Sequence, residues 1–84
     1  MEEEINEILD TIDMIMDDNS LPYKVSSKLD EIVKVLKDKK NFSNDTLMRI
    51  QDDLEMLGDS SNIDDYTRNE IINLVTYIES LYNS

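Results

Sequence analysis

Apolar residues recur along this chain at helical spacing in four blocks. In the first, Ile5, Ile8, Leu9, Ile12, Ile15 and Met16 follow the i, i+3, i+4, i+7 pattern that gathers side chains on one helix face. Val25, Leu29, Ile32, Val33 and Leu36 make the second block. The third, Leu47, Ile50, Leu54 and Leu57, is a narrower stripe, and the fourth, Ile71, Leu74, Val75, Ile78 and Tyr82, a wide one. No block alternates with period two, so no strand is expected.

The polar residues between the blocks punctuate the same reading. Asp17-Asp18-Asn19-Ser20 closes the first block, and Pro22 suits the first turn of a helix, where its missing N–H costs nothing. Ser43 is a good N-cap for the third helix, and Gly58, the only glycine, is placed to follow that helix as a C′ residue. Asp59-Ser60-Ser61-Asn62 makes a polar turn, after which Asp64 and Asp65 fall in the first turn of the fourth helix and complement its dipole. The predicted helices lie near residues 2–18, 22–40, 44–57 and 64–82.

A shift of 42 residues, half the chain, superimposes eleven apolar pairs, among them Ile8 with Ile50, Ile12 with Leu54, Met14 with Met56, Leu29 with Ile71 and Val35 with Tyr77. Carboxylates coincide too, at Asp10 and Asp52, Asp13 and Glu55, and Asp17 and Asp59. Amphipathic helices match by chance at any shift near a whole number of turns, so the off-face and polar coincidences carry more weight. The expected architecture is all-α: a four-helix antiparallel up-and-down bundle in one domain, residues 1–84, built from two similar hairpins, 1–42 and 43–84. Two hairpins are too few for an open helical array and should close on each other.

Composition narrows the chemistry. The 84 residues include no Cys and no His, so zinc fingers, disulfide frameworks, thiolate nucleophiles and imidazole bases are excluded. Hydrophobic residues make up 39%, too many and too periodic for a disordered acidic tail. A chain this short buries only about 60% of the surface its unfolded form exposes, so its helices must pack well or associate. The acidic start, Met1-Glu2-Glu3-Glu4, is unlike a basic signal sequence, and the longest apolar run is Met14-Ile15-Met16; a soluble cytoplasmic protein is expected. The sequons Asn41-Phe42-Ser43 and Asn44-Asp45-Thr46 carry no weight without a secretory signal.

Net charge is -12, and it is uneven. Residues 1–20 carry -8 with no basic residue, whereas 21–42 carry +3, 43–58 carry -3 and 59–84 carry -4. This disfavours phosphate backbones and anionic membranes as partners. Six of eight basic residues, Lys24, Lys28, Lys34, Lys37, Lys39 and Lys40, lie on the second helix, but they point in several directions and have no aromatic platform among them. Their expected role is internal, relieving repulsion beside the all-acidic first helix, with Asp30 and Lys34 as an i, i+4 pair.

One set of residues resembles something known. Ile8-Leu9-Asp10-Thr11-Ile12 and Asp18-Asn19-Ser20-Leu21-Pro22, then Asp59-Ser60-Ser61-Asn62-Ile63, Tyr66-Thr67-Arg68 and Ile71-Ile72, resemble a family of short uncharacterised archaeal proteins of the UPF type. There, a turn of the Asp-x-Ser-Val-Pro kind opens the second helix, and an Asp-Pro-Asn-Met-Pro turn with a Thr-Arg pair opens the fourth. This chain departs from the pattern at Ser60, Asp64 and Asp65, where prolines would stand, and has no tryptophan in its last helix. The resemblance implies a helical bundle and no assigned activity.

Candidate sites are few. Asp10, Asp13 and Asp17, repeated as Asp52, Glu55 and Asp59, form narrow acidic arcs that a hard divalent cation could bridge, against the plainer reading of solvated faces. Residues 59–70 begin with Asp59 and end with Glu70 as a calcium loop does, but Ile63 and Asp64 occupy positions that need an oxygen ligand and a glycine. No cofactor is expected, and no nucleophile with a base or phosphate-binding glycine loop points to an enzyme. Met14, Val35, Met56, Tyr66, Ile72 and Tyr77 lie off the core stripes, and Met and Tyr are enriched in interfaces. The expected role is a non-enzymatic interaction or small structural module working through a helix face, with a protein partner or a second copy as a homodimer. The alternative is an acidic accessory factor that binds a divalent cation or a basic protein.

Overall fold

A computed structural model describes residues 2–18, 20–38, 43–60 and 62–82. Four helices account for most of them: α1 Glu2–Met16, α2 Tyr23–Lys37, α3 Asn44–Gly58 and α4 Asp65–Tyr82. The described residues contain no strand.

Helix ends follow local hydrogen bonding. α1 stops two residues before the predicted boundary because Asp18 turns the chain, its Oδ1 accepting from the Ser20 N–H at 2.9 Å and the Ser20 hydroxyl at 2.7 Å. Pro22 sits at the N-cap of α2, just outside the helix, and its carbonyl accepts from Val25 and Ser26. The predicted end of α2 at residue 40 lies outside the described residues; the helix is described to Lys37. Ser43 caps α3 as expected, its hydroxyl accepting from the Thr46 N–H.

Gly58 departs from expectation. It is the last residue of α3 rather than the residue after it, it is buried, and no residue described has positive φ. The helical path continues into Asp59, φ -83° and ψ -5°, whose N–H donates to the Glu55 carbonyl. Glycine here does not reverse the chain, and a β-carbon on Gly58 would meet Ile71 Cγ2 on α4 at 3.5 Å, an ordinary contact distance.

Each helix packs on its neighbours in the chain, and α4 closes the ring against α1. The α3–α4 pair is much the more intimate, whereas α1 and α2 are in less contact. The axes of α3 and α4 are antiparallel, since Arg68 at the start of α4 reaches the end of α3 while Tyr82 at the end of α4 reaches back to Gln51. The core takes three residues from α1 (Ile8, Ile12, Ile15), four from α2 (Val25, Leu29, Ile32, Leu36), three from α3 (Leu47, Ile50, Leu54) and three from α4 (Ile71, Leu74, Ile78). Ile63, from the α3–α4 turn, stoppers one end at 7% exposure. Ile5, Leu9, Met16, Val33, Leu57, Val75 and Tyr82, counted in the stripes, are only half-buried and pack around this core. The bundle measures 32 × 21 × 18 Å, and no helix among the described residues is long and apolar enough to cross a membrane.

Several positions 42 apart share an environment: Ile8 and Ile50, Ile12 and Leu54, Leu29 and Ile71, and Leu36 and Ile78 are buried, and Met14 and Met56 are exposed.

Because the Gly58 backbone suits any residue and an added methyl meets Ile71 at ordinary van der Waals distance, Gly58→Ala should stabilise the fold by about 0.5 kcal/mol through lost unfolded-state entropy. Thermal or urea unfolding monitored by circular dichroism measures this; a lower midpoint in the variant would contradict it.

Candidate functional site

The turn from α3 to α4 is the most heavily laced part of the chain. A helix ends with carbonyls that have no intrahelical donor and with the negative pole of its dipole. Arg68, in the first turn of α4, answers both: its Nε donates to the Gly58 carbonyl at 3.0 Å and its Nη2 to the Ser60 carbonyl at 2.7 Å. Its Nη1 lies 3.4 Å from Asp65 Oδ1, one turn back on α4. Asp64, expected inside the helix, is instead its cap, accepting from the Thr67 N–H at 2.8 Å, and the Arg68 N–H donates to the Asp64 carbonyl. Hydrogen bonding of the charged form by the Thr67 N–H and then the Thr67 side chain holds the Asp64 carboxyl below its ordinary value of 3.8. Thr67 is 3% exposed. The Thr67-Arg68 pair that carried the family resemblance is therefore structural, closing the hairpin.

Beside this turn runs a groove of about 590 Å³ lined by Leu54, Glu55, Gly58, Asp59, Arg68, Ile71, Ile72 and Val75. Gly58 contributes no side chain to it, Leu54 and Ile71 lie fully buried beneath it, and its apolar surface is that of Val75 and Ile72. Glu55 and Asp59 stand exposed on its rim and form no ion pair among the described residues. Ile72, half-exposed, is a third of the predicted candidates brought to this place.

The other candidates are dispersed. Asp10 and Asp13 line a groove of about 480 Å³ between α1 and α2 with Leu9, Met16, Asp30, Val33 and Lys37, among others. Asp17 lies in the turn after α1, and Asp52 is exposed on α3. Because α1 and α3 are not neighbours in the ring, the two acidic arcs do not meet, and among the described residues no three carboxylates are grouped so that they could hold a metal ion. Of the apolar candidates, Val35 lines a groove between α2 and α3, and Met14, Met56 and Tyr66 are exposed on α1, α3 and α4. Tyr77 is placed differently from the other five: half-buried against the core, it lines a groove between α1 and α4 with Glu7, which hydrogen-bonds its hydroxyl. That bond, with burial and the nearby Glu7 and Glu4 charges, pushes the phenol up to about 12.

Sequence reading missed four features. Tyr23 and Met48 are exposed apolar side chains; the position of Met48 off its stripe was a usable signal. Gly58 as a groove former and Arg68 as a clasp had none, because each depends on the facing helix. The α2 lysines also differ in part from expectation. Lys34 pairs with Asp30 at 3.4 Å as predicted, but Lys28 bridges Glu31 and, across helices, Asp53 of α3 rather than α1, each at 3.4 Å, and both raise its affinity for a proton. Lys39 and Lys40 lie outside the described residues.

The chain belongs to the uncharacterised protein family UPF0147, whose model matches residues 1–81. No curated protein and no solved structure matches the chain.

Removing the clasp should cost stability without disturbing helix content. Arg68→Met is expected to lose about 1–2 kcal/mol, as two carbonyls forfeit charged donors at a partly exposed site, and Arg68→Lys to recover only part because one ammonium cannot span both. Urea midpoints of the two variants decide this. The pH profile has a limb on each side. Asp64, depressed in the folded state, contributes above its unfolded value and loses that contribution as pH falls through the folded one, a limb that Asp64→Asn should flatten. Tyr77, raised in the folded state, contributes below its ordinary value of 10.0 and loses this as pH climbs toward about 12; near-ultraviolet absorbance titration should show a late phenolate step that Tyr77→Phe deletes.

Proposed function

We propose that this chain is a non-enzymatic protein-interaction module that acts through a helix face on a partner protein or on a second copy of itself. The observation that carries the reading is the set of large apolar side chains left outside a core that is otherwise well sorted: Met14, Tyr23, Val35, Met48, Met56, Tyr66 and Ile72. Covering such side chains contributes roughly 25 cal/mol per Å² of apolar surface removed from water. Tyr and Met are residues that interfaces favour. We further read the two hairpins, 1–42 and 43–84, as a duplicated unit, supported by the shared burial of positions 42 apart.

A second reading, an acidic accessory factor for a basic protein, draws support from carboxylates such as Glu55 and Asp59 that stand on a groove rim without ion-pair partners among the described residues. The two readings predict opposite salt responses. An apolar interface survives or strengthens as salt rises, whereas a complex held by the acidic faces dissociates.

The test is capture from native lysate on the immobilised chain, with proteins identified by mass spectrometry at low and high salt, alongside sedimentation velocity of the chain alone. A triple variant, Met14→Ser, Met56→Ser and Tyr66→Ser, should lose the captured proteins or the self-association at an unchanged unfolding midpoint. Identical capture by wild type and variant would sink the apolar-face reading, and a strict monomer at high concentration would remove the homodimer.

A further inference from the structure

The two hairpins differ where they should match most closely. Gly58 stands 42 positions after Met16, and each lines the groove between the two helices of its own hairpin. Between α1 and α2, the half-buried Met16 side chain forms part of the wall of that groove together with Leu9 and Val33. Between α3 and α4 the equivalent position has no side chain, and the groove there presents the half-buried Val75 and the half-exposed Ile72 above the fully buried Leu54 and Ile71.

The trough's surroundings say what could fill it. Its one cation, Arg68, is committed to the Gly58 and Ser60 carbonyls and to Asp65, so the charges it offers a visitor are the carboxylates of Glu55 and Asp59. A second copy would bring another -12 to a face that is already negative, and nucleic acid would bring more negative charge still. A visitor must therefore carry positive charge around an apolar side chain. A trough between two antiparallel helices suits a helix laid along it with an apolar anchor inward.

We propose that the groove at Gly58 receives an apolar side chain presented on a Lys- or Arg-bearing amphipathic helix of a partner protein, with Glu55 and Asp59 engaging the flanking cations. This rests on the interaction-module reading and names its site and partner chemistry. The groove is small beside a standard protein interface, so binding by this contact alone is weak and fast-exchanging.

The test titrates the full, isotopically labelled chain with a synthetic helical peptide bearing Leu at i, i+3, i+4 and i+7 and Lys elsewhere, and with a scrambled peptide of identical composition. Amide chemical shifts should move chiefly at residues 54–59 and 68–75, and the scrambled peptide should bind much more weakly. Neutralising the rim with Glu55→Gln and Asp59→Asn should weaken binding by up to about tenfold, because exposed ion pairs each contribute little. Asp10→Asn with Asp13→Asn, the same charge change in the other hairpin, should change it by less than about twofold on that scale.

Gly58→Met, which copies Met16 into the trough, should abolish the localised shifts. Ile72→Ser, at an exposed edge, provides a second variant should Gly58→Met unfold. Equal affinity for the scrambled peptide, or shifts spread over all the acidic faces, would overturn the proposal, as would localised shifts on self-dilution, which would make the occupant a second copy. If lysate capture is lost in the Met14, Met56 and Tyr66 variant but kept in Gly58→Met and Ile72→Ser, the groove is refuted while the interaction reading stands.

Discussion

The bundle depends on how closely α4 lies against α3. Gly58, the last residue of α3, is buried against Ile71 of α4, with an ordinary contact distance left for a β-carbon. That approach brings Arg68 within reach of the two carbonyls at the end of α3, and Tyr82, a helix length away, within hydrogen-bonding reach of Gln51, a buried amide side chain. α4, once placed, presents Leu74 inward and Tyr77 toward α1, where Glu7 takes its hydroxyl. The first hairpin has Met16 where the second has Gly58, and its two helices are in less intimate contact.

Charge is organised around this frame, not distributed to stabilise it. Exposed ion pairs of the kind formed by Lys34 with Asp30 contribute at most about 1 kcal/mol each. Lys28, shared between Glu31 and Asp53, ties α2 to α3 at the seam where those helices are least in contact. Residues 1–20 carry eight carboxylates and no basic residue. A surface so unevenly negative sets which partners can approach more than it sets the fold.

Much of the fold was legible because helix formation and burial are local or periodic properties. The stripes predicted four helices, and the buried residues of α1 to α4 fall within them apart from Gln51, Gly58 and Thr67. Ser43 was readable as a cap because capping needs only a hydroxyl three residues before an N–H. The candidate site was legible only as fragments. Glu55 and Asp59 appeared as part of an acidic arc and Ile72 as an off-stripe apolar residue, but nothing in the chain order says that they border one groove. Tyr77 looked like an interface residue from its angle on the helix alone; its hydroxyl partner lies seventy positions away in sequence, on α1.

The sequence by itself determined that this chain makes four amphipathic helices, that their apolar faces must meet, and that its chemistry excludes thiol, imidazole and disulfide devices. Those properties follow from residue type and from a 3.6-residue period, and neither needs a distant neighbour. Tertiary structure alone decided which hairpin closes tightly, that Gly58 opens a groove instead of ending a turn, and that Arg68 is a clasp. Each depends on the distance between two helix surfaces, which side chains from both set jointly and no single stretch of sequence encodes.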